Sequence, residues 1–175
     1  MKQLHLEKIT KRNTSEIINL KVRKEQKEFV ASNAVSLADA YVCLSNNRPV
    51  FPFGIYYGDK PVGFIMVGFD AFFLGEEDPD VLRKQYFIWR FMIDRKYQGR
   101  GFGKQAFKLA IDFVKTLPAG SAELCWVSYE PTNERAKKLY ASFGFKEAPE
   151  YYVEGEEMPA IIKLRDYNVS TLNIK

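Results

Sequence analysis

The chain has 175 residues and a net charge of +4, and 46% of its residues are hydrophobic and 15% aromatic. These values predict one globular domain with a well-buried core, because two domains of ordinary size need a longer chain. The sequence contains no apolar run of about eighteen residues and no unbroken block of Lys and Arg. Neither a membrane nor a nucleic acid is therefore an expected partner. The isolated cysteines, Cys43 and Cys125, and the single histidine predict neither disulfides nor a bound metal, and we expect a reduced, cytoplasmic protein.

Capping residues and alternating polarity predict the elements of the first half of the chain. These are a strand over residues 3–9, helical segments over 14–22, 25–30 and 36–44, and paired strands over 53–57 and 62–69. Ser36 is expected to cap the third helical segment, with Asp39 in its first turn. A hairpin turn at Gly58-Asp59-Lys60-Pro61 joins the paired strands.

The second half predicts two strand–helix units followed by a final pair of strands. Its elements are an acidic loop over 72–84, a strand over 87–93 with a helix after it, a strand over 122–129, a helix from 133, and strands over 145–152 and 158–164. Gly144 is expected to end the last helix. We assign residues 1–165 to one domain and expect 166–175 to form a loosely held polar tail.

The turn between the 87–93 strand and its helix is rich in glycine and in positive charge. Its glycines and cations are Gly99, Gly101, Gly103, Arg95, Lys96, Arg100 and Lys104. A helix N-terminus offers unpaired N–H groups and partial positive charge, and glycine lets a ligand approach the backbone closely. The expected ligand is therefore a phosphate or pyrophosphate. The alternative is a tight surface turn whose cations are solvated.

The helix after this turn divides into a charged stripe and an apolar face at helical spacing. The stripe consists of Lys104, Lys108, Asp112 and Lys115. The apolar face consists of Phe102, Ala106, Leu109, Ala110, Phe113 and Leu117.

Two common nucleotide-binding loops do not fit this turn. A Walker loop needs Ser or Thr after its lysine, whereas Gln105 follows Lys104. A dinucleotide loop needs G-x-G-x-x-G at the first strand of its unit, whereas this turn is G-x-G-x-G and lies past the middle of the chain. Glu123, about twenty residues further on, would suit a ribose-binding acid, but alone it is weak evidence.

Two separated motifs resemble the GNAT acetyltransferase superfamily. Gln98-x-x-Gly101-x-Gly103 matches its acyl-CoA signature, [Q/R]-x-x-G-x-[G/A], between a strand and a helix. Asn133, Ala136 and Tyr140, followed by Phe143-Gly144-Phe145, are similar to its second segment. More narrowly, residues 25–38 and 89–94 resemble bacterial spermine/spermidine N-acetyltransferases, and the likeness spans about residues 4–164.

The resemblance implies an α/β (α+β) fold: a mixed, mostly antiparallel central sheet of about seven strands, flanked by helices and splayed between strands 4 and 5. It implies acetyl-CoA as co-substrate, with no metal, and the cofactor's arm pairing with the main chain of the fourth strand. The implied cofactor-binding residues are Met92, Ile93, Gln98, Gly99, Arg100, Gly101, Phe102, Gly103, Lys104 and Asn133. The side chains of Met92 and Ile93 suit the core equally well, and Asn133 is equally a helix N-cap.

The resemblance also implies that Tyr140 is the general acid for the departing sulfur, although its helical position alone suits a core tyrosine. The resemblance does not identify the general base. Relatives place a carboxylate on the fourth strand, and residues 87–92 contain none. Glu130 acting through water is one candidate, whereas Asp94 is expected to orient the phosphate turn.

The predicted reaction transfers an acetyl group to a primary amine, for which the resemblance favours spermidine or spermine. A polyamine needs separated carboxylates and aromatic walls. The candidate acceptor-binding residues are Glu76, Glu77, Asp78 and Tyr152, in or near two acidic stretches, 76–80 and 150–157, and Glu130 at the end of the fifth strand. The alternative is that these stretches are solvated loops. Another amine, such as an antibiotic or a protein N-terminus, and a non-catalytic acyl-CoA-binding module are the alternatives. Exposed aromatic residues in 51–73 would suit a homodimer.

Overall fold

A computed structural model describes residues 2–70 and 80–167 of the chain. Its sheet has seven strands in the order β1-β2-β3-β4-β5-β7-β6. The strands are β1 Leu4–Lys8, β2 Val50–Tyr57, β3 Lys60–Phe69, β4 Tyr86–Ile93, β5 Leu124–Tyr129, β6 Lys146–Glu147 and β7 Met158–Lys163. All neighbouring strands are antiparallel except β4 and β5, which are parallel. The predicted mixed, mostly antiparallel sheet is therefore confirmed.

Helices cover both faces of this sheet. They are α1 Thr14–Ile18, α2 Asn33–Ser45, α3 Phe102–Val114 and α4 Glu134–Ala141. Strand β3 shows how the two layers form, because its side chains alternate between faces. Phe64 and Met66 pack with the α1 and α2 side chains. Ile65 and Val67 pack with those of α3 and α4, so one strand supplies both cores.

The start of α2 differs from the prediction. Ser32 is the N-cap, because its backbone is extended and its side chain accepts from the Val35 amide at 3.3 Å. Ser36 is fully buried within the helix, and its hydroxyl donates to the Ser32 carbonyl oxygen at 3.1 Å. The helix therefore begins at Asn33, and Asp39 lies in its second turn. Similarly, α1 ends at Ile18, and only a single 3-10 turn follows it, at Lys24–Gln26.

The buried face of α3 is rotated from the predicted one. Phe107, Ile111 and Val114 are fully buried, and none of them is in the predicted apolar set. Leu117 lies beyond the helix end, with a φ of +52°, and is 39% exposed. Ala106 and Ala110 of the predicted set are fully buried, as expected. Phe102, Leu109 and Phe113 are only partly buried, so the predicted and observed faces overlap but differ in their centre.

The end of α4 agrees with the sequence, but the strand after it does not. Gly144 has a φ of +91°, its amide donates to Ala141 at 3.0 Å, and the Phe145 amide donates to Tyr140 at 3.2 Å. This is a Schellman ending, so the predicted role of Gly144 is confirmed. The predicted 145–152 strand is wrong, because only Lys146–Glu147 is paired. Pro149 lacks an N–H for the ladder and opens a 3-10 turn instead.

The chain beyond β7 is held to the domain as far as Tyr167. That residue is 4% exposed, and the Lys115 ammonium donates to its carbonyl oxygen at 3.0 Å. The expected loose tail therefore does not include Tyr167, and the remainder of it, 168–175, lies outside the described residues. In the part of the chain that the structure describes, no helix is long and apolar enough to span a membrane.

Candidate active site

A cleft opens where β4 and β5 stop pairing. The two strands are in register only from Tyr86 to Ile88 against Cys125 to Val127. Beyond Ile88 they separate, which confirms the predicted splay between the fourth and fifth strands. A cavity of about 350 Å³ occupies the gap and extends under the segment that joins α1 to α2.

The edge of β4 that faces this cleft can be read from its pairing with β3. The Asp94 amide donates to the Val62 carbonyl oxygen at 2.8 Å, across the β3–β4 pair. Main-chain groups alternate along an antiparallel strand, so those of Met92 also point to β3, whereas those of Phe91 and Ile93 point into the cleft. The predicted main-chain contact therefore suits Ile93 but not Met92. Phe91, which the sequence prediction omits, takes its place.

The glycine turn adopts the geometry that its composition predicts. Gly99 and Gly101 have φ values of +80° and +76°, the left-handed region that glycine enters without strain. Gly101 is also the residue that precedes α3. The buried Asp94 carboxylate accepts from the Lys96 amide at 2.9 Å and from the Lys21 amide at 2.8 Å. Asp94 thus holds the turn against the α1–α2 segment, as expected.

Gln98 connects the turn to both walls of the cavity. Its side-chain Nε2 donates to the Ile93 carbonyl oxygen at 2.9 Å and to Gln26 Oε1 at 2.8 Å. Its Oε1 atom is buried, and no group among residues 2–70 and 80–167 donates to it. A buried acceptor without a donor is costly unless a ligand or water supplies one. The turn therefore offers a hydrogen-bonding position to a ligand in the cleft.

Gly103 leaves open space at the same place. Its φ is not positive, so the backbone does not require glycine there. A Cβ atom on Gly103 would come no closer than 4.0 Å to the protein, at Ile93 Cγ1. Because Gly103 lines the cavity, its missing side chain leaves room for a ligand beside the helix N-terminus. An anionic, amide-bearing ligand such as coenzyme A fits this set of groups.

The predicted cofactor residues fall into two groups. Those that line the cavity are Met92, Ile93, Gln98, Gly99, Gly103 and Asn133. The others, on the turn outside it, are Arg100, Gly101, Phe102 and Lys104. The Phe102 ring packs on Tyr57 at 5.0 Å, so only its main chain is free to meet a ligand. Arg100 lies over the Tyr97 ring at 5.5 Å, which places its positive charge at the turn.

Tyr140 lies on the cavity wall at the base of the cleft. It is 8% exposed, and its ring packs against Phe107 at 5.0 Å and Tyr129 at 5.6 Å. Burial, with a smaller contribution from the charge of Glu157, raises the pKa of the Tyr140 hydroxyl. Within the described residues, no protein group forms a hydrogen bond with that hydroxyl. It therefore keeps its proton at neutral pH and is available to donate it.

Asn133 has the capping role that its position predicts. Its side-chain oxygen accepts from the Ala136 amide at 3.1 Å at the start of α4. It also lines the cavity, so a contact with the cofactor stays a prediction.

The predicted acceptor residues are not those that line the cavity. Glu130 and Tyr152 lie outside its lining, and Glu76, Glu77 and Asp78 lie outside the described residues. The carboxylates that do line it are Glu28, from the segment between α1 and α2, and Glu157, immediately before β7. Among residues 2–70 and 80–167, no cluster of His, Cys, Asp and Glu could hold a metal ion.

Neighbouring side chains fix the surroundings of Glu157. Its carboxylate accepts a short hydrogen bond from the Ser128 hydroxyl of β5. Arg90, on β4, lines the same cavity and forms an ion pair with Asp39 of α2 at 3.7 Å. Burial lowers the pKa of Arg90, and the charges of Asp39 and Glu157 oppose that shift. Apart from the acidic composition around Glu157, no sequence pattern predicts this set, because its members come from separate elements.

This arrangement agrees with comparison to known proteins. Residues 14–145 match the acetyltransferase (GNAT) family. The chain belongs to the GNAT acetyltransferases. This GNAT protein is 31% identical over 155 residues to the spermine/spermidine N(1)-acetyltransferase of Bacillus subtilis (strain 168), an alignment that covers 89% of this chain and 95% of that one.

Two solved structures show the same fold as this GNAT protein. The aminoglycoside acetyltransferase AAC(6')-Ib in complex with coenzyme A superposes with a TM-score of 0.70 at 15% identity, covering 92% of this chain and 95% of that chain. The PaiA N-acetyltransferase of Thermoplasma acidophilum in complex with coenzyme A superposes with a TM-score of 0.61 at 14% identity, covering 92% and 99%.

Proposed function

We propose that this protein transfers an acetyl group from acetyl-CoA to a primary amine of a polyamine such as spermidine or spermine. The observation that carries the proposal is one continuous cavity. It joins the glycine turn and Tyr140 to two carboxylates, Glu28 and Glu157, on separate chain segments. The similarity to a spermine/spermidine acetyltransferase over nearly the whole chain supports the same acceptor class.

The donor would be held mainly by main-chain groups. The first-turn amides of α3, with Arg100 and Lys104 beside them, would bind its diphosphate. The cleft-facing edge of Phe91 and Ile93 would bind its amide-rich arm as an added strand does. Acetyl-CoA supplies an activated acetyl carbonyl with a thiolate as leaving group.

The chemical step needs a donor to the developing oxyanion and a proton for the sulfur. The Phe91 amide points into the cleft and would stabilise the negative charge on the acetyl oxygen. As the amine nitrogen bonds to the carbonyl carbon, the carbon–sulfur bond breaks and the sulfur takes its proton from the Tyr140 hydroxyl. Burial keeps that hydroxyl protonated before the reaction, because it raises the Tyr140 pKa.

The acceptor would lie between Glu28 and Glu157. A polyamine carries cations separated by short aliphatic spacers, and two carboxylates on opposite sides of a cavity can pair with two of them. The aromatic walls contributed by Phe29 and Trp89 would contact the spacers and a passing cation. A monoamine would use only part of this surface.

Steady-state thiol release with acetyl-CoA against matched amines tests the proposal. We expect kcat/KM for spermidine and spermine to exceed that for propylamine and for an aminoglycoside by at least tenfold. Activity confined to aminoglycosides or to peptide N-termini would refute the polyamine assignment. Stabilisation by coenzyme A without thiol release from any amine would instead indicate a non-catalytic acyl-CoA-binding protein.

A further inference from the structure

The mechanism above leaves one proton without an acceptor. A free alkylammonium has a pKa of about 10.4, so only about one molecule in 2,500 is neutral at pH 7. The attacking nitrogen must lose a proton before or during attack. Strand β4 contains no carboxylate, and Glu130 lies outside the cavity lining.

We propose that Glu157 is the general base that takes this proton from the acceptor ammonium. The inference rests on the proposed function and identifies a catalytic residue for it. In the part of the chain that the structure describes, the carboxylates lining the cavity are those of Glu28 and Glu157. They differ in what surrounds them, and the surroundings favour Glu157.

Glu157 is fixed in place and faces the reaction site. The Ser128 hydroxyl donates to one carboxylate oxygen, which holds the side chain against β5 and leaves the other oxygen to meet a ligand. Glu157 and Tyr140 line the same cavity, and the charge of Glu157 contributes to the raised pKa of the Tyr140 hydroxyl that would protonate the sulfur. Glu28 belongs to the α1–α2 segment on the other wall and has no such contact with Tyr140 or Ser128.

The charges around Glu157 come from several elements. The charge of Glu157 acts on Arg90 of β4, which is also paired with Asp39 of α2, and on Tyr140 of α4. Glu28 lines the same cavity from the α1–α2 segment, and Glu154 and Glu156 precede Glu157 in its own segment. The Arg90 cation disfavours a second cation beside it, so it promotes loss of the ammonium proton.

The proton balance is complete with these residues. The acceptor ammonium gives its proton to Glu157, directly or through one water, and its lone pair forms the new carbon–nitrogen bond. The carbon–sulfur bond breaks, and Tyr140 protonates the sulfur. The second proton of the attacking nitrogen passes to the tyrosinate, directly or through water, and the protonated Glu157 releases its proton to solvent, so acetylation of the ammonium releases one proton overall.

The Glu157→Gln variant tests the proposal through its pH profile. With spermidine and saturating acetyl-CoA, we expect kcat to fall at least a hundredfold at pH 7. The deficit should shrink steadily toward pH 10, because the free amine then becomes abundant without a base. The KM for acetyl-CoA should change less than threefold, which also shows that the variant is folded.

Two matched variants distinguish a role of Glu157 as the general base from a role in binding the acceptor. Glu28→Gln should raise the spermidine KM and keep most of kcat, and Glu156→Gln should resemble the unaltered protein. A Glu157→Gln variant that raises only the spermidine KM, or that loses the same factor at every pH, would overturn the assignment. Should the unaltered protein prefer another amine, the same profile is measured with that amine, so failure of the polyamine proposal and failure of the base are distinguished.

Discussion

The side-chain amide of Gln98 donates to the main-chain carbonyl oxygen of Ile93 at 2.9 Å. This bond closes the turn onto the end of β4, where the cleft begins. The same nitrogen donates to Gln26 at 2.8 Å, and Gln26 lines the cavity from the α1–α2 segment. One side chain thus links the glycine turn to the wall that bears Glu28.

Replacing Gln98 should therefore affect both substrates. We expect Gln98→Ala to weaken acetyl-CoA binding about tenfold, because each lost hydrogen bond contributes roughly 1 kcal/mol. The acceptor KM should rise as well, since the α1–α2 segment loses its tie to the turn. Calorimetric titration and initial rates measure the two effects, with Gln105→Ala in the first turn of α3 as the control. An unchanged acceptor KM would contradict the link.

Removing the Tyr140 hydroxyl should affect chemistry and not binding. Tyr140→Phe is expected to lower kcat by tenfold or more while nearly keeping acetyl-CoA affinity. Tyr86→Phe is a matched control, because the Tyr86 hydroxyl is buried away from the cavity and accepts from the Ala119 amide at 2.8 Å. That variant should lose about 1 kcal/mol of stability and keep its turnover. A Tyr140→Phe enzyme with normal kcat would remove this residue from the mechanism.

The pH dependence of kcat follows from the same hydroxyl. Because burial raises the pKa of Tyr140 above its ordinary value of about 10, the acid form persists through alkaline pH. We therefore expect no loss of kcat assignable to Tyr140 below about pH 10. A fall in kcat between pH 8 and 9 that Tyr140→Phe abolishes would contradict this expectation.

A methyl group at Gly103 should separate binding from stability. Gly103→Ala has room in the free protein and replaces a helical glycine, so it should raise the unfolding free energy by up to about 1 kcal/mol. It should also weaken acetyl-CoA binding, because the added carbon occupies cavity space. Gly99→Ala should instead destabilise the fold, since the Gly99 φ is +80°. Thermal unfolding with and without coenzyme A measures both effects, and unchanged affinity in Gly103→Ala would contradict a ligand position beside Gly103.

Acid should weaken the contact between β5 and β6. The Tyr129 hydroxyl donates to Glu147 at 2.7 Å, and this bond, followed by Lys137, lowers the pKa of Glu147. A carboxyl with a lower pKa in the folded state stabilises the fold above its unfolded pKa of about 4.3 and loses that effect as pH falls through the folded pKa. Tyr129→Phe should therefore destabilise the protein at pH 7 and much less at pH 3. Equal destabilisation in urea at both pH values would contradict this coupling.

The sequence predicted the features that local signals encode. The glycine turn, the Asn133 cap and the Gly144 helix ending depend on a few adjacent residues whose backbone preferences decide the outcome. The rotated face of α3 did not follow, because apolar residues lie on both sides of Ala106 and Ala110, and tertiary packing decides which side meets the sheet.

Features that depend on strand register or on distant segments could not be predicted. The pairing of β4 with β3 decides whether the main-chain N–H and C=O groups of Met92 or those of Phe91 point into the cleft. Alternation of side chains along one strand does not reveal this pairing. Likewise, Glu28 and Glu157 meet across a cavity although they come from opposite ends of the chain. The acidic composition of two loops predicted where carboxylates would meet the acceptor, but the folded structure determines which carboxylates line the cavity.

The α1–α2 segment is fastened to the turn by three hydrogen bonds: the Lys21 amide donates to Asp94, the Arg95 amide donates to the Lys21 carbonyl oxygen, and Gln98 donates to Gln26. A substitution in this segment that makes room for a bulkier amine is therefore expected to shift the glycine turn that would bind the diphosphate. We expect variants selected for new acceptors to carry altered donor affinity, so that changes in acceptor range require compensating changes around the diphosphate.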